Sequence, residues 1–146
     1  MSGPGDPARY PLAEHATDRL RSRSGIAFER ITLEAIRAGE INSDDLTVDG
    51  ETLLLQAGVA EGAGYRQLAE NLRRAAELAA IPNERLLKIY EALRPRRSTY
   101  QELAALADEL EIRYAAAANA RFIREAADAY RAGGLLRAEE RRERGR

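Results

Sequence analysis

The chain has 146 residues, with 23 Lys plus Arg against 24 Asp plus Glu and a net charge of -1. That is room for one modest domain burying about two thirds of its unfolded surface, and it offers no field to draw in nucleic acid or an anionic membrane. The lack of Cys excludes a disulfide framework, a thiolate nucleophile and a cysteine metal site.

No run of about 18 apolar residues occurs, and the opening MSGPGDPARYPL lacks the basic-then-apolar order of a secretory leader. A soluble, cytoplasmic protein is expected. Alanine is abundant, Lys88 is the only Lys beside many Arg, and aromatics make up 5%. Alanine and arginine favour helix, and the residues that favour strands never alternate over a useful length. The fold class expected is all-α: a small irregular multi-helix domain with an extended N-terminal arm and flexible ends.

In chain order, residues 1–9 read as a disordered tail, rich in Gly and Pro and unable to bury apolar area. Residues 10–31 read as an extended arm with few apolar anchors, and the Arg-Ser-Arg-Ser-Gly run at 21–25 offers nothing to pack. Such an arm either lies on another surface or is a floppy terminus.

A helical domain follows over residues 32–132. Thr32 caps a short helix stopping at Gly39, with Leu33 and Ile36 on its apolar side. Asp49 caps a second helix through Leu53, Leu54 and Val59, which Gly62-Ala63-Gly64 interrupts or bends. The next begins near Tyr65, with Leu68, Leu72, Ala75, Ala76 and Ala79 along one side, and ends at Pro82. Leu86, Ile89, Tyr90 and Leu93 mark a helix that Pro95 stops. Ser98-Thr99-Tyr100-Gln101-Glu102 offers two overlapping capping boxes for another. Leu103, Leu106, Ala107, Leu110 and Tyr114, then Phe122, Ile123, Ala126 and Tyr130, keep a three-four spacing through one long helix or two meeting near Asn119. Gly133-Gly134 ends the pattern, and residues 133–146 read as a charged flexible tail.

Catalytic chemistry finds little purchase. His15, the only histidine, has no second ligand at the spacing of a known site, so a solvent-exposed side chain is expected. Asp44-Asp45 and Asp108-Glu109-Glu111 read as solvated faces, since helix geometry spreads neighbours around the axis. The glycines at 58, 62 and 64 lack the strand and Lys-Ser/Thr of a phosphate loop. Residues 100–110 look like the first helix of a helix-turn-helix, but no turn and no recognition helix follow. No catalytic, cofactor-binding or metal residue is expected, and the residues alone indicate an interaction protein. A DNA-binding regulator or a stand-alone helical interaction protein is the alternative.

The wording of residues 75–98, AAELAAIPNERLLKIYEALRPRRS, goes beyond what helix periodicity requires. It resembles the small (gamma) subunit of adenosylcobalamin-dependent diol and glycerol dehydratases. The likeness runs from Tyr10 to Tyr130. It takes in Tyr10-Pro11-Leu12-Ala13, Ile31-Thr32-Leu33-Glu34, Gly39-Glu40, Glu51-Thr52-Leu53, Gln56-Ala57, Glu102-Leu103, residues 107–111 and residues 122–126, in the family's order. Arg96 is a departure, standing where the family usually has an aromatic residue.

The resemblance implies a non-catalytic small subunit in a dimer of heterotrimers with a large catalytic barrel subunit and a medium subunit. The assembled enzyme converts propane-1,2-diol or glycerol to an aldehyde plus water, and partner subunits hold the adenosylcobalamin. Neither nucleic acid nor membrane is implied as a partner. The expected contacts with the large subunit are Tyr10, Pro11 and Leu12 at the arm's tip and Arg94, Pro95, Arg97 and Ser98 at a rigid corner. The nine residues before Tyr10 do not indicate targeting to a microcompartment.

Overall fold

A computed structural model describes Asp6 and residues 10–138. The rest of the N-terminal tail and residues 139–146 lie outside the described residues. Seven α-helices occur among the described residues, with no strand and one isolated antiparallel bridge between Arg21 and Ala27. They are α1 (Leu12–His15), α2 (Leu33–Arg37), α3 (Gly50–Gly62), α4 (Arg66–Ala79), α5 (Asn83–Ala92), α6 (Tyr100–Tyr114) and α7 (Ala117–Ala132). The chain divides into two compact units, Met1–Ala80 and Ile81–Arg146.

In the first unit α3 and α4 form an antiparallel hairpin. The Asp49 carboxylate accepts from the Thr52 amide at 2.9 Å and so caps α3 as expected. Gly64, at φ 86°, makes the left-handed turn that separates the two helices. Their seam is built of small residues: Ala57, Ala60, Ala69 and Ala76 are buried. A Cβ on Gly50 would stand 3.2 Å from the Ala76 carbonyl oxygen, closer than the seam allows. Of the expected face of α4, Ala76 is buried, Leu72 packs against the seam and Ala75 and Ala79 are half-buried; Leu68 alone departs. Ala69, which the periodicity did not single out, is fully buried, and Leu68 is half exposed, because close helix approach at that end of the seam admits only a small side chain.

The arm is more anchored than its sequence suggests. Leu12, Ala16 and Leu20 are buried and form one cluster with Val59, and Leu55 packs against it. The Arg-Ser-Arg-Ser-Gly run, expected to pack against nothing, closes a turn. The Ser22 amide donates to the Ile26 carbonyl at 2.8 Å, and the Ile26 amide donates to Ser22 Oγ at 3.1 Å. Asp45 holds that turn. Its side chain is 4% exposed and accepts from the Asn42 amide at 2.9 Å and from the hydroxyls of Ser22 and Ser24. The expected solvated Asp44-Asp45 face is corrected accordingly: Asp45 faces inward. The Asn42 amide, then the Ser24 hydroxyl, hold its carboxyl below the usual aspartate range.

A lowered folded value means that the Asp45 carboxylate stabilises the fold above its unfolded pKa, and that this contribution is lost as pH falls through the folded value. Asp45→Ala is therefore expected to speed amide exchange at Ser22, Ile26 and Asn42 about tenfold or more at neutral pH. The parent should loosen at the same amides only below the ordinary aspartate range. Unchanged exchange in the variant would show that the arm is held by Leu12, Ala16 and Leu20 alone.

In the second unit α6 and α7 form another antiparallel hairpin. Leu103, Leu106, Ala107 and Leu110 of α6 are buried, as are Ala120, Ile123 and Ala127 of α7. Of the two readings left open, two helices is the one observed, but they meet at Ala115 instead of near Asn119. Ala115 adopts φ 53°, and the Ala116 amide reaches back to the Leu110 carbonyl at 3.0 Å. The turn missing from the sequence reading is thus present.

Candidate subunit interface

The residues singled out at the arm's tip belong to the first unit and those at the corner to the second. Tyr10 is 63% exposed and Pro11 is exposed, whereas Leu12 points into the cluster around Val59. Tyr10 lines an open groove with Val59, Ala60, Tyr65, Leu68 and Leu72. Tyr65 and Leu68 are 65% and 50% exposed, and sequence reasoning did not single them out as contacts. The available signal was Ala69 beside Leu68 on α4, since an alanine at the tightest point of the seam leaves the adjacent leucine outside.

The corner lies between α5 and α6. Arg94, Pro95 and Arg97 are exposed there. Arg94 pairs with Glu91 at 3.3 Å. Ser98 is buried, and its hydroxyl donates to the Ala92 carbonyl at 2.8 Å, so it ties the corner internally. Of the two possible capping boxes the structure uses the second: the Glu102 amide donates to Thr99 Oγ1, and the Thr99 amide donates to the Glu102 carboxylate at 2.8 Å. That amide, helped by Arg137, holds the Glu102 carboxyl below the usual range.

Residues 133–137 return to this corner, which corrects the expectation of a solvated tail for the part that is described. The Arg96 amide donates to the Leu135 carbonyl at 2.7 Å and the Arg137 amide to the Ser98 carbonyl at 2.8 Å. The Arg137 guanidinium reaches the Arg97 carbonyl at 3.2 Å and the Glu102 carboxylate. Tyr130 Oη donates to the Leu93 carbonyl at 2.6 Å.

The acidic run of α6 is bound within the chain and is not merely solvated. Arg124 bridges Asp108 and Glu111 at 2.7 and 2.6 Å, and these contacts raise the guanidinium pKa. Arg85 makes a two-pronged pair with Glu109, its Nε at 2.9 Å. On α7, Arg121, Arg124 and Arg131 each lie within 4.0 Å of a carboxylate. The helix after the turn therefore presents paired charges where a DNA-recognition helix needs cations for phosphate.

No group of three or more His, Cys, Asp or Glu placed to hold a metal ion occurs among the described residues. His15 is half exposed, its Nε2 4.0 Å from Glu14. This side chain does not fit the enclosed ligand that a resident cofactor requires, so no chemical step is assigned to it. No helix among the described residues is long and apolar enough to cross a membrane.

The model of a family described as dehydratase small subunit matches residues 6–137. The chain is 46% identical over 121 residues to the propanediol dehydratase small subunit of Salmonella typhimurium strain LT2, covering 83% of this chain and 70% of that one. Identity and coverage are the same for the propanediol dehydratase small subunit of Citrobacter freundii.

Proposed function

The chain belongs to the dehydratase small subunits, and on that premise we propose that it is the non-catalytic subunit of a coenzyme-B12-dependent diol or glycerol dehydratase, binding and stabilising the large catalytic subunit. A dehydratase is a lyase, and this chain is part of one. The assembled enzyme would convert propane-1,2-diol or glycerol to an aldehyde plus water in the cytoplasm, with a medium subunit completing a dimer of heterotrimers. Adenosylcobalamin, held by the partner subunits, would supply the radical chemistry. This chain's own residues would bind and brace.

One observation carries the reading: many large apolar side chains, 13 among the described residues, are exposed. Leu103 and Leu110 are the largest fully buried side chains, whereas Leu33, Val48, Tyr65, Leu87, Tyr90 and Ile112 are each at least 63% exposed. Solvated single leucines are ordinary, but exposure on this scale in so small a chain fits surface awaiting a permanent partner, where obligate interfaces commonly bury about 2,000 Å² or more. The arm tip at Tyr10 and Pro11 and the corner at Arg94, Pro95 and Arg97 belong to that surface, with Leu12 and Ser98 shaping it from within.

The test is co-purification from the native cells. The tagged chain should bring down a dehydratase large subunit, identified by mass spectrometry, in fixed stoichiometry. In the recovered enzyme His15→Ala should leave turnover within about twofold, roughly 0.4 kcal/mol of barrier. A chain recovered alone as a stable monomer would overturn the reading. A large fall in kcat with assembly intact would overturn its non-catalytic part.

A further inference from the structure

We propose that the corner at residues 94–98, laced shut by residues 135–137, presents Arg96 and Arg97 as a preformed anion-accepting patch for carboxylates on a partner subunit. The inference rests on the reading of the chain as a subunit.

The backbone is the first observation. Arg96 sits at φ 63°, a left-handed conformation that a side-chain-bearing residue adopts at a cost. Its amide is committed to the Leu135 carbonyl at 2.7 Å, and the next bond of the lacing joins the Arg137 amide to Ser98 at 2.8 Å. Nothing in the packing of α5 against its neighbours calls for an arginine here, since the side chain is exposed. The conformation turns Arg96 and Arg97 out of the short connection while Ser98 is held inside.

Charge is the second. Arg97 lines an open groove with Arg85, Lys88, Arg137, Glu102 and Glu109. Every other cation there is neutralised within the chain: Arg85 by Glu109, Lys88 by Glu84 at 2.8 Å, and Arg137 by Glu102. Arg97 and Arg96 have no carboxylate within 4.0 Å among the described residues, and Arg137 takes up the carboxylate that Arg97 might otherwise have shared. Among the described residues the result is uncompensated positive charge on a fixed piece of backbone. A planar guanidinium there suits paired oxygens, and fixing its backbone beforehand lowers the ordering cost of binding.

The experiment measures association of the full chain with the remaining dehydratase subunits over a range of salt concentrations. Arg97→Ala should weaken association roughly 30-fold and flatten its salt dependence. Truncation after Gly134 and Arg137→Ala should both weaken it with helix content unchanged. Truncation combined with Arg97→Ala should be no worse than the more damaging single change by more than about threefold, because the lacing acts through the patch. Arg96→Gly is compatible with the left-handed backbone and removes the side chain with its guanidinium, so its loss should resemble that of Arg97→Ala. Parent-like binding by Arg97→Ala and by the truncated chain, with Tyr65→Asp still defective, would overturn the patch and leave the subunit reading standing. Parent-like binding by all of them would overturn both.

Discussion

Tyr65→Asp is expected to weaken association with the rest of the dehydratase by about 100-fold or more while leaving the helices intact. The ring is 65% exposed beside Tyr10 and Leu68, and aromatic anchors of this kind are where interface energy concentrates, at about 2 kcal/mol or more for a single truncation. A carboxylate adds the cost of desolvating an unpaired charge. The site also separates binding from folding. Tyr65 is the residue before the first turn of α4, with no side-chain cap bond of its own, and Asp is among the preferred residues at that position. Helix content should therefore hold or rise while binding falls. The check is titration of the tagged chain against the other subunits with circular dichroism on the same samples. Parent-like affinity would show that the groove faces solvent in the assembly.

Leu110→Ala should, with Leu103→Ala, be among the most damaging single truncations in the fold, at about 2–5 kcal/mol. Leu110 is 1% exposed on the α6 face that meets α7, and only Leu103 matches it in size and burial. Leu106 and Ile123 on the same seam are themselves buried, and close packing limits how far they can move into the cavity. Ile112, two residues on and 85% exposed, provides the control: Ile112→Ala should stay within about 0.5 kcal/mol. Urea unfolding of the full chain, followed by its helix signal, reads both. Equal midpoints would mean that the α6–α7 seam contributes little to cooperativity.

Much of the helical order was legible because helix ends are decided locally. Thr32, Asp49 and Thr99 each accept an amide three residues on, and Gly39 and Gly64 turn at positive φ; both are short-range rules. What escaped the sequence was set by distant partners. Asp45 reads as one of two exposed acids until Ser22 and Ser24, more than twenty residues earlier, are folded onto it. The Ala115 break has no glycine or proline to announce it; an alanine takes the left-handed conformation because the α6–α7 pairing selects it. The Arg137 lacing joins groups 40 residues apart, and no periodicity encodes it. At the candidate interface, Tyr10 and Arg97 were accessible to sequence reasoning through family likeness. Tyr65 and Leu68 were not, because which row of α4 faces inward depended on how closely α3 approaches.

The alanine-lined α3–α4 seam also sets a calorimetric character for the first unit. Methyl groups packed backbone to backbone bury little apolar area per residue, and it is apolar area that generates the heat-capacity increment on unfolding. Folding of that hairpin is thus expected to contribute little to the heat-capacity increment and to the denaturant slope. On the proposed reading, the larger side chains left outside would carry that increment into assembly. Docking them would give the complex a strongly negative heat capacity of association, and the temperature response of the subunit would then follow how tightly it is held more than how well it folds.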